Sequence, residues 1–456
     1  MKKKENSLIE GSIGKSIILF AVPIMLSSIL QQLYNAVDSS IVGTFAGSEP
    51  LAAVGSSGAL INLLVGFFLG ISTGTGVIFA KYYGANDKES LLKTMNTSLI
   101  LSVICGILIT FIGMIWTREL LGFMHCPEDV LDLSITYLRI YFLGIIGMMV
   151  YNVGAGIIRA KGDSRHPLYY LIYSGVLNLI LDFLFVAVFK MSVAGAALAT
   201  MISQYFSAVL VIYNLMKIPE SYKLRLTNIK FHKETAVEII KISVPCGLQS
   251  AMFNISNMLV QIKINDFGSI AMAGCAAYEK IDGFLYVPML AFGLAISTFI
   301  GQNIGAGKFD RIKKGVRICL IYSVVISIIL STIVYFTGDY LINIFTTSTE
   351  VKNIGLTMMT IIAPFTFTHS FTEVLAGAIR GAGKAFQAMI LTATGICVFR
   401  IIWLLIILNY FNDIRAVFGC YPASWILCST CFIVYYLKSN WLNVEEVVVK
   451  TEKISA

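Results

Sequence analysis

The side chains with chemistry to offer lie where polar groups are costly. Asp38 stands in "QQLYNAVDSSIVG" (31–43), the first acid of an apolar run that begins near Ile17. Asp182 lies mid-run in "VLNLILDFLF", Asn178 precedes it by four residues, and Asn152 sits in "MMVYNVGAG". Later, His369 and Glu373 are four residues apart in "HSFTEVLAG", and Glu279 and Asp282 are three apart in "AAYEKIDGF". Spacings of three or four put a pair on one helix face. Carboxyl and amide groups in such sets suit the reversible capture of a proton, or of a hard cation such as Na⁺ that prefers oxygen ligands. A charge at the bilayer centre costs about 2.5 kcal/mol or more, so it is kept where it faces an interior cavity and binds something.

The elements that must position these groups are membrane helices. Hydrophobic residues make up 57% of the chain and charged residues 13%, far below the quarter found in soluble domains. Runs 58–80, 97–117, 191–216, 283–307, 318–337 and 416–437 carry no charge, and six others carry one or a few: 15–44, 133–158, 167–189, 238–265, 353–379 and 386–408. A spanning helix needs about 20 apolar residues, so the fold expected is an all-α polytopic membrane protein of twelve helices. With the N-terminus in the cytoplasm, the segments 81–96, 159–166, 217–241, 308–317 and 380–385 face inward with both termini. All but eight of the 34 Lys and Arg then lie inside. The positive-inside rule favours that orientation. The net charge of +8 reflects topology and anionic inner-leaflet lipid, and needs no nucleic acid. No cleavable leader is expected, and the nine cysteines, Cys428 and Cys431 included, read as small buried thiols.

The chain repeats itself. "YYGANDKESLLK" (82–93) matches "NIGAGKFDRIKK" (303–314), "AGIIRAKG" (155–162) matches "AGAIRGAG" (376–383), and "AGSEPLAAV" (46–54) matches "FGSIAMAGC" (267–275), all at an offset of 221. Two six-helix lobes are expected at 1–217 and 238–440, with a polar cytoplasmic linker at 218–237 and a tail at 441–456. An even number of helices inserts both copies in one direction, so the lobes should relate by a pseudo-twofold axis along the membrane normal. That is a transporter's plan, with alternating access to a site near the midplane.

The sequence resembles the multidrug and toxic compound extrusion (MATE) transporters, in particular their DinF- and MepA-like bacterial branch. The resemblance rests on "VPIMLSSILQQLYNAVDSSIVG", "PLAAVG", "AGIIRAKGDSRHP", "VLNLILDFLF" and "GLAISTFIGQNIGAG", spread over the whole chain. It implies an antiporter in the bacterial cytoplasmic membrane that exports cationic or amphipathic compounds in exchange for H⁺ or Na⁺. It further implies that Asp38, Asn152, Asn178 and Asp182 form the coupling site, with Asp38, Asn178 and Asp182 as metal ligands if sodium is the ion. No cofactor, nucleic acid or subunit partner is implied beyond the coupling ion, the substrates and membrane lipid; a monomer is expected.

The second half departs from its resembled relatives. Its seventh helix, "VPCGLQSAMFNISNMLVQ", lacks the glutamate of the NorM-like and eukaryotic branches. Glu373 instead occupies the repeat position of Asn152, with His369 beside it, as a proton or substrate group. Glu279 and Asp282 are further cavity candidates, with Lys280 and Arg400 as possible counter-charges. An aromatic, Met-bearing wall accepts many cations, and Gln31, Tyr34, Met148, Tyr151, Phe253 and Tyr278 are candidates for it.

Enzyme chemistry is not indicated. "GAGKAF" (381–386) fails the phosphate-loop pattern because Ala385 replaces the required hydroxyl residue, and no H-E-x-x-H or nucleophile elbow occurs. The driving force is therefore an ion gradient. The alternative of the same superfold is a flippase for lipid-linked oligosaccharide or cell-wall precursors. A channel would be told apart by counterflow.

Overall fold

The computed structural model describes residues 8–124, 126–218, 222–411 and 413–442. Lys2, Lys3 and Lys4, residues 219–221 of the expected linker and the tail beyond Leu442 lie outside the described residues. In lipid, every backbone polar group must be satisfied within the segment, and helices do this alone. Twelve helices are long and apolar enough to cross a membrane. They are α1 (Ile13–Phe45), α2 (Ser48–Gly84), α3 (Lys88–Phe123), α4 (Glu128–Ala160), α5 (Arg165–Val188), α6 (Ser192–Met216), α7 (Lys233–Asn265), α8 (Ser269–Gly305), α9 (Phe309–Asn343), α10 (Thr349–Gly381), α11 (Ala385–Tyr410) and α12 (Ile414–Lys438). The described residues contain no strand.

The helices run beyond their apolar stretches. The segment read as an inner loop at 81–96 holds the last turn of α2 and the first turns of α3, separated by only three residues. Asp87 starts α3 by accepting the Ser90 amide at 3.0 Å, as N-cap residues do. Several helices are irregular inside, α3 among them at Trp116. The last six residues of α5, Phe183–Val188, form a π-helix, as do Ala393–Val398 in α11, and Ala363–Phe365 in α10 forms a 3₁₀ turn at Pro364.

The 221-residue repeat is written into the backbone. Left-handed φ values occur at Gly47 and Gly268 (105° and 92°), at Asn86 and Gly307 (56° and 68°), and at Gly162 and Gly383 (96° and 83°), and each pair is 221 residues apart. Asn is among the few non-glycine residues that adopt this region at little cost, which is how one copy substitutes it for glycine.

Packing divides the chain into two compact units. One is Leu26–Ser243; the other joins the described residues up to Met25 to those from Val244 on. Division by packing thus runs through α1 and α7, whereas division by repeat runs through the polar segment between α6 and α7. Both crossings lie next to a proline, Pro23 in α1 and Pro245 in α7, where the helical hydrogen-bond ladder is interrupted. The segment entering α1 is held in its unit by α8 and α9: Asn303 Nδ2 donates to the Leu8 carbonyl (3.1 Å), Lys308 Nζ to Ile9 (3.3 Å) and Arg311 Nη1 to Gly11 (3.1 Å). In the other unit the entry of α7 is held by α2 and α3. Tyr82 Oη donates to Glu238 Oε2 at 2.8 Å, and the His232 amide donates to Thr97 Oγ1 at 3.2 Å.

Within Leu26–Ser243, α4 is central and packs on α2, α3 and α6. Its core is built from residues such as Phe68, Phe142, Met149 and Val211. In the other unit α8 packs on α9 and α10, and α10 packs on α12, around Phe292, Phe299, Trp425 and Phe432. Two close crossings are repeat equivalents. Ser72 Oγ donates to the Asn152 carbonyl at 2.6 Å where α2 meets α4 at Gly156. Gly293 meets Gly377 and the Glu373 carbonyl where α8 meets α10.

A β-carbon on Gly377 would run into the Gly293 carbonyl, which is backbone and cannot turn aside. Gly377→Ala is therefore expected to destabilise the unit by about 1–3 kcal/mol, as overpacking does, read as a lowered unfolding midpoint in detergent. Gly122→Ala, where nothing lies within 4 Å, should leave the midpoint unchanged or raise it. Equal effects of the two would refute the tight crossing.

Candidate functional site

In the unit Leu26–Ser243, α1 and α5 bring two carboxyl groups face to face. Asp38 and Asp182 are 9% and 1% exposed, and their side chains lie within hydrogen-bonding reach of each other. Asp38 Oδ1 and both Asp182 oxygens are buried with no donor among the described residues. Two bare carboxylates cannot share such a place; one proton or one cation between them removes the conflict. Asp182 is the last residue before the π segment of α5. Such π-bulges shift the register of a helix and recur at functional sites.

Around this pair stands a ring of polar and aromatic groups. Asn178, one turn before Asp182, is 1% exposed and directs Nδ2 to Thr200 Oγ1 at 3.5 Å. Tyr34, one turn before Asp38, lies near the same Thr200 and in the electrostatic field of both acids. Tyr137 and Tyr141 of α4 feel the Asp38 charge as well; their rings stack at 6.2 Å, and Tyr141 Oη points to Met148 Sδ at 3.9 Å. Thr200, Tyr137 and Tyr141 were not among the residues singled out by sequence. The available signal was the spacing 137, 141, 148, 152, one face of α4.

The other N-half candidates are placed differently. Asn152 gives its Nδ2 to the Met148 carbonyl at 2.9 Å within its own helix, and no described hydrogen bond joins it to the carboxyl pair. Tyr151 donates to the Pro167 carbonyl at 3.1 Å, tying α4 to the start of α5. Gln31 is exposed on α1.

In the second unit a line of polar contacts runs through α10. His369 Nε2 lies 3.6 Å from Glu373 Oε1, and Glu373 Oε2 lies 3.9 Å from Arg380 Nη2. Arg380 Nη1 donates to Gln249 Oε1 at 3.0 Å, and Gln249 Nε2 donates to Thr392 Oγ1 at 2.7 Å. Met148, Asn152 and Arg159 are the repeat equivalents of His369, Glu373 and Arg380, so the same helix face carries different chemistry in each half. The His369 ring is enclosed by Tyr286 (5.2 Å), Trp425 (5.7 Å) and Phe253 (6.1 Å), and its Nδ1 is buried without a partner. Arg380, counted by sequence with an inner loop, lies in the last turn of α10 and reaches back to Glu373.

The remaining charges arrange themselves by neutral contacts. Tyr278, fully buried, donates to Asp282 Oδ1 at 3.1 Å. Glu279 and Lys280 are exposed, and among the described residues Lys280 makes no ion pair with Glu279 or Asp282 within 4.0 Å. Arg400, 1% exposed, meets no carboxylate within that distance. It donates from Nη1 to Asn257 Oδ1 (2.6 Å) and from Nε to Ser424 Oγ (3.0 Å), and lies over the Tyr421 ring at 4.5 Å. The guanidinium is thus held by amide, hydroxyl and ring rather than as a direct counter-ion. Among the described residues, no cluster of three or more His, Cys, Asp and Glu could hold a metal ion.

Comparison with known proteins places the chain in a family. The "Probable multidrug resistance protein YoeA" of Bacillus subtilis (strain 168) is 28% identical over 435 residues, covering 93% of this chain and 94% of that protein. The "Multidrug export protein MepA" of Staphylococcus saprophyticus is 22% identical over 438 residues, covering 96% of each. Among solved structures, a MATE protein crystallised in complex with MaD3S superposes with a TM-score of 0.89 at 22% identity, covering 98% of this chain and all of that one. The MatE family model matches twice, at residues 23–184 and 245–406, which places one copy in each half of the repeat. The chain belongs to the MatE family of multidrug and toxic compound extrusion transporters.

Proposed function

We propose that the protein is a secondary antiporter that exports cationic or amphipathic organic compounds by alternating access, driven by entry of H⁺ or Na⁺. The observation that carries this reading is the buried Asp38–Asp182 pair, three of whose four oxygens lack a donor among the described residues. A site of this kind holds one positive charge and changes its electrostatics when the charge leaves, which is what coupling requires. Asn178 and Thr200 orient the pair, and Tyr34 and Tyr141 supply ring faces and hydroxyls at its edge. An organic cation and the coupling ion then compete for the same negative charge. One charge moved across ~100 mV yields about 2.3 kcal/mol, enough to drive a tenfold or greater substrate gradient.

The names of the relatives, multidrug resistance and multidrug export proteins, support export over the flippase alternative. A cavity for a pyrophosphate-linked lipid would call for a cationic centre, whereas the carboxyl groups with bare oxygens at Asp38 and Asp182 are acidic. His369 and Glu373 form a second protonatable pair in the other unit, oriented by Arg380, and we assign them to substrate contact. Small-molecule cations, membrane lipid and no protein partner complete the set, in a bacterial cytoplasmic membrane with both termini inside.

Asp38→Asn is expected to abolish drug-driven exchange in proteoliposomes under imposed ΔpH and ΔNa⁺, at least tenfold below wild type. Exchange equal to wild type under both gradients would remove Asp38 from coupling. Glu373→Gln should weaken drug binding severalfold while ion-driven counterflow of the remaining bound drug persists; intact binding with lost coupling would reverse the assignment. For topology, a C-terminal fusion to a cytoplasm-dependent fluorescent protein should fluoresce, and a fusion of alkaline phosphatase at the same point should be inactive. Active phosphatase would invert the orientation.

A further inference from the structure

In the unit that runs from Val244 onward, side chains from four helices close into a loop that includes Arg400, in the middle of α11. The Arg400 guanidinium lies over the Tyr421 ring at 4.5 Å, Tyr421 meets Trp425 at 6.1 Å, and Trp425 meets His369 at 5.7 Å. Phe253 completes the circuit, 6.1 Å from His369 and 5.7 Å from the guanidinium. The loop thus draws on α7, α10, α11 and α12. Arg400, His369 and Trp425 are each at most 2% exposed.

The polar atoms of this loop are unbalanced in one direction. Arg400 Nη1 and Nε donate to Asn257 and Ser424, but Nη2 is buried with no partner among the described residues, as are Trp425 Nε1 and His369 Nδ1. The Arg and Trp nitrogens can only donate, and the His nitrogen donates when the ring is protonated. Two acids share this neighbourhood, and both are engaged otherwise. Glu373 faces His369 Nε2 and Arg380, and Asp282 accepts from Tyr278. Buried donors without an acceptor are costly, a charged one most of all. The fold does not demand them: at the 221 offset Arg400, His369 and Trp425 are Leu179, Met148 and Gln204, and the helices form all the same. The bare groups at these two places have opposite sense, acceptors at Asp38 and Asp182, donors at Arg400 and Trp425.

We propose that this cluster binds a small monovalent anion, a halide or a carboxylate, with Arg400 Nη2 and Trp425 Nε1 donating to it. Nη2 supplies a charge-assisted hydrogen bond, the stronger kind. With Nη1 and Nε already engaged, the guanidinium meets the anion end-on through one nitrogen rather than as a two-pronged fork. One guanidinium balances one negative charge, short of what a pyrophosphate carries. The site is distinct from the Asp38–Asp182 pair, so anion binding is read independently of the coupling ion and of whether the exported compound is a cation.

The test uses full-length protein in detergent, held on scintillant beads and titrated with radiolabelled chloride or radiolabelled benzoate at fixed ionic strength in sodium methanesulfonate. Wild type should bind at least one of the two saturably, at about one anion per chain. Arg400→Gln should raise the half-saturating concentration at least about tenfold, the scale of a hydrogen bond to a charged group. Trp425→Phe, which keeps a ring and removes the Nε1–H, should raise it severalfold, and it carries the test if Arg400→Gln does not fold. Arg415→Gln, at an exposed position of α12, should bind as wild type does. Chloride binding that benzoate leaves untouched assigns the site to an ion of the medium. Benzoate binding that neutral benzamide does not displace assigns it to a carboxylate on an organic compound. Displacement by benzamide would make it an aromatic pocket and overturn the proposal. So would no saturable binding of either anion, or binding unchanged in both Arg400→Gln and Trp425→Phe. Size-exclusion profiles identical to wild type show that the variants are folded.

Discussion

Everything chemical in this molecule follows from one constraint: a charge held away from water must be matched by a donor, a proton or a counter-ion. Most of the chain obeys it by having no charge to match, and the helices satisfy their own backbone. Where charge is retained, the match is different each time. Arg400 is held by Asn257, Ser424 and Tyr421, Glu373 by His369 and Arg380, and Asp282 by Tyr278. At Asp38 and Asp182 three carboxyl oxygens are buried with no donor among the described residues, and on the function proposed above the match comes from the medium.

Duplication sets the terms on which the two halves differ. The scaffold is copied down to the left-handed turn residues and the close crossings at Gly156 and Gly377. Those features depend on backbone approach, and a side chain placed there would be felt at once. Positions whose side chains stay out of these crossings are under no such restriction. Along one face of α4 and its copy in α10, Met148, Asn152 and Arg159 become His369, Glu373 and Arg380. One copy therefore carries an acid pair with bare oxygens, while the other carries a chain of polar groups that contact one another from His369 through Glu373 and Arg380 to Gln249.

The number and type of helices were legible because a spanning segment needs a long apolar run, and composition records that directly. Helix ends were less so, since polar turns that emerge from the bilayer carry no apolar signal; hence α2 and α3 nearly meet across 85–87. Asp38, Asp182, His369 and Glu373 stood out as charges in greasy sequence, and spacing predicted that each of the last two would meet. The partnership of Asp38 with Asp182 joins two helices, and periodicity within one helix cannot reveal it. Tyr137 and Tyr141 were hidden among 21 tyrosines, and Arg380 among the basic residues expected at an inner helix end. The π segments leave no mark in composition, because the same residues form either kind of helical hydrogen bond.

The path of α1 has a consequence for how the protein is made. Leu8 is held by Asn303, 295 residues later, so the segment before α1 waits until eight helices exist before finding its partners. The first half cannot be completed and set aside as a finished module. Its opening helix stays provisionally lodged during synthesis, and only the arrival of the second copy locks it. Contacts of such long sequence separation form late. Two copies that began as one gene unit have thereby lost the option of being separated again: each now holds the thread of the other.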